Sequence, residues 1–345
     1  MYYSIIKFIK KAGRSGDMKV AVCQGEAVGG FPKREELLKY WKQQLSTIPE
    51  VHEIDFYEMF DESWAGQYDA VIGAWIRDGY FGEEFFRKYP KLKYIATLGH
   101  GFGKIDELAA RRYNVTFTNT VYGDMTIAQF GFGLLMDICH HIGDEARFYK
   151  QMLDENHGFA GRKKVCTRQI ELYEKTMGII GLGNIGLWMA RMAQGFGMHV
   201  VAYSRHKKAG PEYKNIEQVS FDELLARSDV ISIHCPLTDQ TRGMIDRKAF
   251  SKMKDGVIII NTARGAIIDE QALIDNLKSR KVYAAGLDVV DGEPVHEKTP
   301  IFDQDNATIT AHIAWAPEEA RYRTVRIATE NLRNWIAGVP TSVIA

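Results

Sequence analysis

The sequence predicts an α/β protein made of two doubly wound parallel-sheet domains with a cleft between them. Apolar, strand-like runs alternate with helix-like segments along the chain, which is typical of βαβ units and a parallel sheet. The series of such units starts twice, at Met18 and again at Thr176. The length of 345 residues also suits two domains.

The first series of units lies before the middle of the chain. A short strand is predicted at 18–24 (MKVAVCQ) and a charged helix at 33–46. Further buried strands are predicted at 68–75, 92–99 and 115–120. A long helix-like segment at 126–152 then divides the chain, and residues 153–175 are expected to be a connection. Because the long segment is apolar over its first half and charged over its second, we expect it to bridge the two domains.

The second series begins with the run TMGIIGLGNIG at 176–186. Five strand-like runs follow, at 199–204, 229–237, 256–263, 283–290 and 307–314. The last segment, 317–338, is amphipathic and predicts a helix that ends before a Gly-Val-Pro stop.

Charge and cysteine usage exclude several classes of partner. Basic and acidic residues both number 44, so the chain offers no strong field for nucleic acid or a membrane surface. The four cysteines are scattered without a CxxC pair, which favours free thiols in a reducing compartment, the cytoplasm, and argues against a metal site. Residues 1–17 are basic but do not fit a secretory signal. We expect an N-terminal extension there, with a membrane-touching amphipathic start as the alternative.

A glycine-rich loop follows the first strand of the second series. Gly181, Gly183 and Gly186 follow an apolar strand directly and precede a helical stretch, which is the context of a dinucleotide-binding turn. Gly181 allows the tight turn, Gly183 lets the backbone approach a pyrophosphate, and Gly186 lets helix and strand pack closely. The helix N-terminus would then bind the phosphates. A glycine turn without a ligand and a methyltransferase loop are the alternatives to this Rossmann domain.

The end of the next strand indicates which dinucleotide is bound. An acid that grips the ribose of NAD is usual there, but none occurs between Gly186 and Glu212. The strand leads instead to Ser204 and Arg205, a hydroxyl and a guanidinium that suit a 2′-phosphate. The sequence therefore favours NADP over NAD as cofactor. The alternative is a basic surface loop that tolerates either.

Polar side chains follow several strands of the second series. Arg264, Glu293 and His312 each come after a different strand, and ligands of open parallel sheets bind beyond the carboxyl ends of the strands. An arginine fork binds a carboxylate and polarises a carbonyl. A histidine supplies a proton to the new alkoxide, and a neighbouring carboxylate stabilises the imidazolium ion. Cys235 and Pro236 would line the cofactor-binding site. Taken singly, the three side chains could be a turn residue, a solvated acid and a packing histidine.

Several ordered stretches together resemble the D-isomer-specific 2-hydroxyacid dehydrogenase family. The likeness covers about 90–345, and the region 18–90 is consistent with it in pattern. The matching stretches are KTMGIIGLGNIG (175–186), HCPLTDQTRGMID (234–246), INTARGAIIDE (260–270), GLDVVDGEP (286–294) and TAHIAWAP (310–317), with LGHGFGKID (98–106) and TNTVYGDMTIAQFGFGLLMDICHHI (118–142) in the N-terminal half.

The resemblance implies a role for each site residue. Arg264 would be the substrate clamp, His312 the acid–base group and Glu293 its orienting partner. Asn184 and Ile185 would cover the pyrophosphate. Further cofactor contacts are implied for Thr241, Thr262, Ala263 and Asp288, and further substrate contacts for His100, Gly101 and Trp315.

The resemblance also implies a domain division and a homodimer that pairs through the cofactor domain. The division is an extension at 1–17, a substrate domain at 18–122, a dinucleotide-binding domain at 123–316 and a helix at 317–345 that returns to the substrate domain.

Within the family, the runs VYGDMTIAQ and HIAWAP look like the glycerate dehydrogenase or hydroxypyruvate reductase branch. We therefore expect reduction of a small 2-keto acid, such as hydroxypyruvate or glyoxylate, by NADPH, with His312 as proton donor. His100, Gly103 and Val290 depart from the usual family residues and leave the preferred acid open. A dinucleotide-sensing regulator or corepressor on the same fold is the alternative function. A formate-dehydrogenase-like enzyme fits less well, because a Gln usually stands in the place of Glu293.

Overall fold

The structure is a computed structural model that describes residues 17–25, 30–74, 79–154 and 166–345. Of the predicted extension at 1–17, residues 1–16 lie outside the described residues. The chain divides into two compact units: the first extends to Gly123 and continues at Ala316–Ala345, and the second is Asp124–Trp315. Each unit has its own parallel sheet, so the predicted α/β class with two parallel-sheet domains is confirmed.

The first unit contains a five-stranded sheet in the order β2-β1-β3-β4-β5. Its strands are β1 (Met18–Cys23), β2 (Val51–Tyr57), β3 (Ala70–Ile72), β4 (Tyr94–Ala96) and β5 (Thr116–Thr118). In β1 the consecutive residues Val20, Ala21 and Val22 are all fully buried. A parallel strand that is covered on both faces carries such a continuous apolar run.

Helices from both ends of the sequence cover this sheet. They are α1 (Arg34–Leu45), α2 (Glu62–Ala65), α3 (Glu83–Lys88), α4 (Glu107–Arg112) and α11 (Glu318–Ile336). Helix α1 buries Leu37, Trp41 and Leu45, which share one face because they are four residues apart. Ala328 and Leu332 of α11 belong to the same apolar cluster. The last helix therefore completes the core of the first unit.

The second unit contains a seven-stranded sheet in the order β12-β11-β10-β9-β6-β7-β8. Its strands are β6 (Thr176–Ile180), β7 (His199–Tyr203), β8 (Glu217–Gln218), β9 (Val230–Ile233), β10 (Val257–Asn261), β11 (Val282–Leu287) and β12 (Ala307–Ile309). Its helices are α5 (Asp124–His140), α6 (Ile142–Asp154), α7 (Asn184–Gly195), α8 (Phe221–Arg227), α9 (Arg247–Lys252) and α10 (Glu270–Lys278). All the strand pairs are parallel, so the carboxyl ends of the strands share one edge.

The predicted helix at 126–152 is in fact two helices. His141 separates α5 from α6 and has a φ of 45°, in the left-handed region. A left-handed residue cannot continue an α-helix, so the chain changes direction there. Both helices belong to the second unit, and the expectation of one bridging helix is therefore wrong. Apolar periodicity continues across the break and does not reveal it.

Two edge strands, β2 and β8, are missing from the prediction. Strand β2 exposes His52 and Glu53 at one edge of its sheet, and β8 is a two-residue strand at the edge of the other. Neither carries a continuous apolar run, because an edge strand is buried less completely than a central one. The other predicted strands occur at the expected places with shorter bounds.

Candidate active site

The glycine loop joins β6 to α7, as predicted. Gly181 has a φ of 96°, and a Cβ atom there would lie 2.6 Å from the amide nitrogen of Cys235. Only glycine fits where the ends of β6 and β9 approach so closely. A Cβ atom at Gly186 would lie 2.3 Å from the carbonyl oxygen of Gly181, which reflects close packing of helix on strand. At Gly183, by contrast, a Cβ atom would meet nothing within 4 Å. The backbone is therefore open on the side where a phosphate would approach.

Helix α7 begins beside this opening. Gly183 is its N-cap residue, no side chain caps the first turn, and that turn contains no acid. The unpaired amides and the positive end of the helix dipole favour an anion there. The side-chain amide of Asn184 donates to the carboxylate of Asp124 at 3.1 Å. Ile185 is half-buried and packs on the core beneath the helix.

The end of β7 is tied to the glycine loop. The hydroxyl of Ser204 accepts a hydrogen bond from the amide of Leu182 at 2.8 Å. Arg205 is exposed, and its guanidinium donates to the side-chain carbonyl of Gln240 at 3.2 Å. Since that partner is neutral, the charge of Arg205 is not compensated by this bond. A hydroxyl and a cation therefore stand together at the end of β7.

The end of β9 forms another wall of the loop. The imidazole of His234 hydrogen-bonds to the hydroxyl of Ser232 at 2.8 Å, and burial lowers the pKa of His234 to about 4. Burial raises the pKa of the Cys235 thiol to about 11, so this side chain is neutral. Pro236 is exposed, and its carbonyl oxygen accepts from the hydroxyl of Thr241 at 2.7 Å. Thr241 thus holds the turn that follows the strand.

A compact turn follows β10. Fully buried Asn261 accepts from the amide of Ala263 at 3.0 Å and donates to the carbonyl of Arg264 at 3.0 Å. The hydroxyl oxygen of Thr262 is buried and has no hydrogen-bond partner. Arg264 is half-buried, and its guanidinium donates to the carbonyl of Ala263 at 2.6 Å. Because a buried polar atom is normally satisfied, Thr262 is a candidate contact for a ligand.

Asp288 is fully buried immediately after β11. Its carboxylate accepts from the hydroxyl of Thr310 at 2.6 Å and from the amides of Ile313 and Ala314, both at 2.9 Å. These donors lie on either side of His312. The structure therefore ties Asp288 to the turn that carries the histidine, and the nicotinamide contact implied by the resemblance remains a prediction.

Glu293 and His312 are brought together by the turns after β11 and β12. Nδ1 of His312 donates to Oε2 of Glu293 at 2.7 Å, and their side chains are 41% and 28% exposed, respectively. The other carboxylate oxygen, Oε1, accepts from the amide of Val290 at 2.9 Å. The glutamate is thus fixed by the backbone while it orients the histidine.

The turn of Arg264 packs on the turn that leads to Glu293. A Cβ atom at Gly265 would lie 1.9 Å from the carbonyl carbon of Val290, so the two backbones are in direct contact. Strands β10, β11 and β12 are also neighbours in the sheet. The three predicted catalytic residues, Arg264, Glu293 and His312, therefore follow adjacent strands at the same edge.

His100 and Gly101 belong to the first unit, in the irregular chain after β4. The side-chain amide of Asn119 donates to the carbonyl of His100 at 3.2 Å. The His100 ring lies 5.7 Å from the ring of Tyr122, measured between centroids. Both predicted substrate residues are half-buried.

The residues of the second unit fit a dinucleotide. The open backbone at Gly183 with the uncapped α7 suits a pyrophosphate, and the orphaned hydroxyl of Thr262 suits a polar group of the nicotinamide end. Within the ranges that the structure describes, no cluster of acidic, His and Cys side chains is arranged to hold a metal ion. Likewise, no helix of the described chain has the length and apolarity needed to cross a membrane.

Three supporting residues escape the sequence prediction. Asn261 ends a strand before a turn, and that position is a recognisable signal for an Asx turn. Gln240 contacts Arg205 across 35 positions of sequence, and Gln218 pairs with both the amide and the carbonyl of Lys208. No local pattern marks the two glutamines, because their contacts arise only from the tertiary fold.

Comparisons with known proteins identify the second unit. A family model described as D-isomer specific 2-hydroxyacid dehydrogenase, NAD binding domain, matches residues 132–314. The chain is 41% identical over 265 residues to a hydroxypyruvate reductase of Blautia hydrogenotrophica, and the match covers 76% of this chain and 81% of that protein.

Solved structures extend the likeness over nearly the whole chain. D-2-hydroxyisocaproate dehydrogenase is similar with a TM-score of 0.78 and 26% identity, covering 94% of this chain and 99% of that one. An acyclic imino acid reductase in complex with NADPH and D-Arg is similar with a TM-score of 0.75 and 26% identity, covering 94% of this chain and all of that one (100%).

Proposed function

The chain belongs to the D-isomer specific 2-hydroxyacid dehydrogenase family, and on that premise we propose that it reduces a small 2-keto acid of the hydroxypyruvate or glyoxylate type to the D-2-hydroxy acid, with NADPH as the preferred cofactor. The observation that carries the proposal is the 2.7 Å bond between His312 and Glu293 at the carboxyl edge of the sheet. A histidine oriented by a carboxylate is an acid–base unit.

The substrate preference rests on the relatives. A protein named hydroxypyruvate reductase is 41% identical to this chain. The departures at His100, Gly103 and Val290 concern the predicted substrate pocket, so an assay over several 2-keto acids is the direct way to rank them.

The proposed chemistry assigns one task to each side chain. When bound, the reduced nicotinamide supplies the hydride that adds to C2 of the keto acid. Nδ1 of His312 is bonded to Glu293, so Nε2 is the nitrogen that gives its proton to the substrate oxygen. Arg264 binds the substrate carboxylate and polarises the carbonyl. The substrate contacts that the resemblance implies for His100 and Gly101 belong to the same proposal.

Replacing His312 tests the assignment. We use His312→Asn, because asparagine tolerates the left-handed φ of 53° at this position while it cannot act as the acid. We expect kcat for hydroxypyruvate to fall at least about 100-fold, since general acid catalysis contributes that much. NADPH binding, followed by the fluorescence of the bound cofactor, should change by less than about twofold, because the imidazole is not a phosphate contact.

His199→Asn is the matched control, since His199 is exposed at the amino end of β7, on the opposite edge of the sheet. It should leave both kcat and NADPH binding unchanged. Turnover retained in His312→Asn would end the assignment. Tight NADPH binding by the unaltered protein without turnover of any 2-keto acid would instead favour the regulator hypothesis.

The preference for NADPH is supported by the side chains after β7. Ser204 offers a hydroxyl and Arg205 a cation that is bonded to the neutral side chain of Gln240, and no acid stands nearby in sequence. Replacing Arg205 with Ala should raise KM for NADPH about tenfold, because one charge-assisted contact is lost. KM for NADH should stay nearly constant. Lys214→Ala, at another exposed cation, is the control. Equal rates with NADH and NADPH in the unaltered enzyme would overturn the preference.

The homodimer and the reducing compartment remain part of the proposal. Helix α6 buries Met152 while Ile142, Tyr149 and Leu153 stay exposed, an apolar surface that supports pairing through the second unit. The four cysteines are free thiols, which supports a reducing environment.

A further inference from the structure

The turn that carries His312 has an unusual backbone conformation. His312 has a φ of 53°, in the left-handed region that residues other than glycine adopt only rarely. Such a conformation persists where the surrounding structure holds it in place. The direction of the imidazole, and therefore its bond to Glu293, depends on whatever holds this turn.

One support comes from Asp288 and acts on both sides of the histidine. Its buried carboxylate accepts from the hydroxyl of Thr310 at 2.6 Å, two positions before His312. It also accepts from the amides of Ile313 and Ala314 at 2.9 Å. None of these bonds involves an atom of His312 itself.

The bond from Trp315 acts on the histidine directly. Nε1 of the Trp315 indole donates to the backbone carbonyl of His312 at 2.6 Å. Indole has a single hydrogen-bond donor, so Trp315 cannot also donate to a substrate while this bond exists. The bond fixes the carbonyl that follows the left-handed φ and therefore opposes rotation of the turn toward a more common conformation.

We propose that Trp315 is a positioning residue for the proton donor: its indole N–H holds the left-handed turn of His312 so that the imidazole stays on Glu293 and aims Nε2 at the substrate. This inference rests on the proposed function and gives Trp315 a role other than the substrate contact that the resemblance implies. The Asp288–Thr310 bond holds the same turn from its other side.

Trp315→Phe tests the proposal, because it keeps an aromatic ring and removes the N–H group. We expect kcat for hydroxypyruvate to fall about tenfold, since a displaced acid transfers its proton poorly. KM for hydroxypyruvate and the dissociation constant of NADPH should each change less than about twofold. The solvent deuterium isotope effect on kcat should rise as proton transfer becomes more rate-limiting. A merely structural role would lower the melting temperature without moving that isotope effect.

Trp335→Phe is the matched control, because the Trp335 indole donates to the hydroxyl of Thr116 at 3.1 Å within the first unit. It loses the same group and should keep the kinetic constants of the unaltered enzyme. A second pair protects the test against a misfolded Trp315 variant. Thr310→Val removes the bond to Asp288 and should show the same fall in kcat as Trp315→Phe. Thr310→Ser retains the hydroxyl and should keep the kcat of the unaltered enzyme.

Nuclear magnetic resonance of histidine-labelled protein gives a readout that does not depend on turnover. The His312 ring signals, assigned with the His312→Asn variant, should shift in Trp315→Phe because the bond to Glu293 is weakened, and should stay in place in Trp335→Phe. Unchanged His312 signals would overturn the proposal, as would a raised KM with full kcat, which would make Trp315 a substrate contact. If the unaltered protein turned over no keto acid, the proposed function would fail while the ring signals still decided the role of Trp315.

Discussion

The half-buried imidazole of His234 illustrates how a single side chain can make the stability of this protein depend on pH. It hydrogen-bonds to Ser232 at the carboxyl end of β9, and burial lowers its pKa to about 4 from an ordinary value of 6.5. The amide of the same residue donates to the carbonyl of Ile180 at 2.7 Å. The backbone of His234 therefore lies beside the glycine loop, while its neutral ring brings no charge to the end of β9.

This burial predicts an acid-sensitive stability. The unfolded chain takes up a proton on His234 below pH 6.5, whereas the folded chain resists protonation until about pH 4. The contribution to the free energy of unfolding is thus present above pH 6.5 and is lost as the pH falls toward 4. The loss is at most about 3–4 kcal/mol, from about 1.4 kcal/mol for each pKa unit.

Urea denaturation between pH 7 and 4 checks this expectation. His234→Gln should show a shallower fall in the free energy of unfolding than the unaltered protein, because the titrating ring is gone. Ser232→Ala keeps the ring and should keep most of the slope. Equal slopes in the unaltered protein and in His234→Gln would contradict the prediction.

At the scale of elements, the junction of β6 and α7 contains one glycine that the packing of the fold requires and another that the proposed binding of a phosphate requires. A Cβ atom at Gly186 would meet the Gly181 carbonyl at 2.3 Å, whereas at Gly183 it would meet nothing within 4 Å. Gly186 is therefore required by the fold itself. At Gly183 the fold leaves room for a side chain, so the need for glycine there comes from the proposed phosphate.

Gly183→Ala accordingly should weaken NADPH binding at least about tenfold, because the methyl group occupies the side on which a pyrophosphate approaches. The free energy of unfolding without cofactor should change by less than about 1 kcal/mol. Gly195→Ala, at the other end of α7 and also in open space, should leave NADPH binding unaltered. Fluorescence titration and urea denaturation measure the two quantities. Undiminished binding by Gly183→Ala would contradict the assignment of this loop.

The elements that the sequence predicts are those whose burial is nearly complete. Central strands such as β6, β9 and β10 are mostly apolar and almost wholly buried, because helices cover a parallel sheet on both faces. The break at His141 escapes prediction because a single left-handed residue does not interrupt the apolar pattern on either side of it, and the edge strands β2 and β8 escape because a half-covered strand carries no continuous apolar run.

For the whole molecule, the core of the first unit joins segments that are far apart in sequence. Leu332 of α11 is fully buried in one cluster with Val20 of β1 and Trp41 of α1. The second unit is continuous in sequence, from Asp124 to Trp315. The core of the first unit therefore depends on helix α11, which follows the whole second unit in sequence.

Leu332→Ala should lower the free energy of unfolding by about 2–5 kcal/mol, because it leaves a cavity among side chains that cannot fully collapse. Hydrogen exchange should rise most in β1 and α1, which share the cluster. Leu108→Ala is the control, since Leu108 is 77% exposed and its loss should cost less than about 0.5 kcal/mol. A loss of stability at Leu332 no larger than at Leu108 would contradict this account of the core.

The sequence alone determined where the functional residues stand relative to the strands. It shows which strand precedes the glycine loop, and which strands are followed by Arg264, Glu293 and His312. It could do so because parallel strands end at a common edge, so position along the chain implies position in space. Only the tertiary structure decided which atoms meet there. The bond of Glu293 to His312, the left-handed turn held by Trp315 and the pairing of Arg205 with Gln240 join residues whose contacts depend on turns rather than on any periodic pattern.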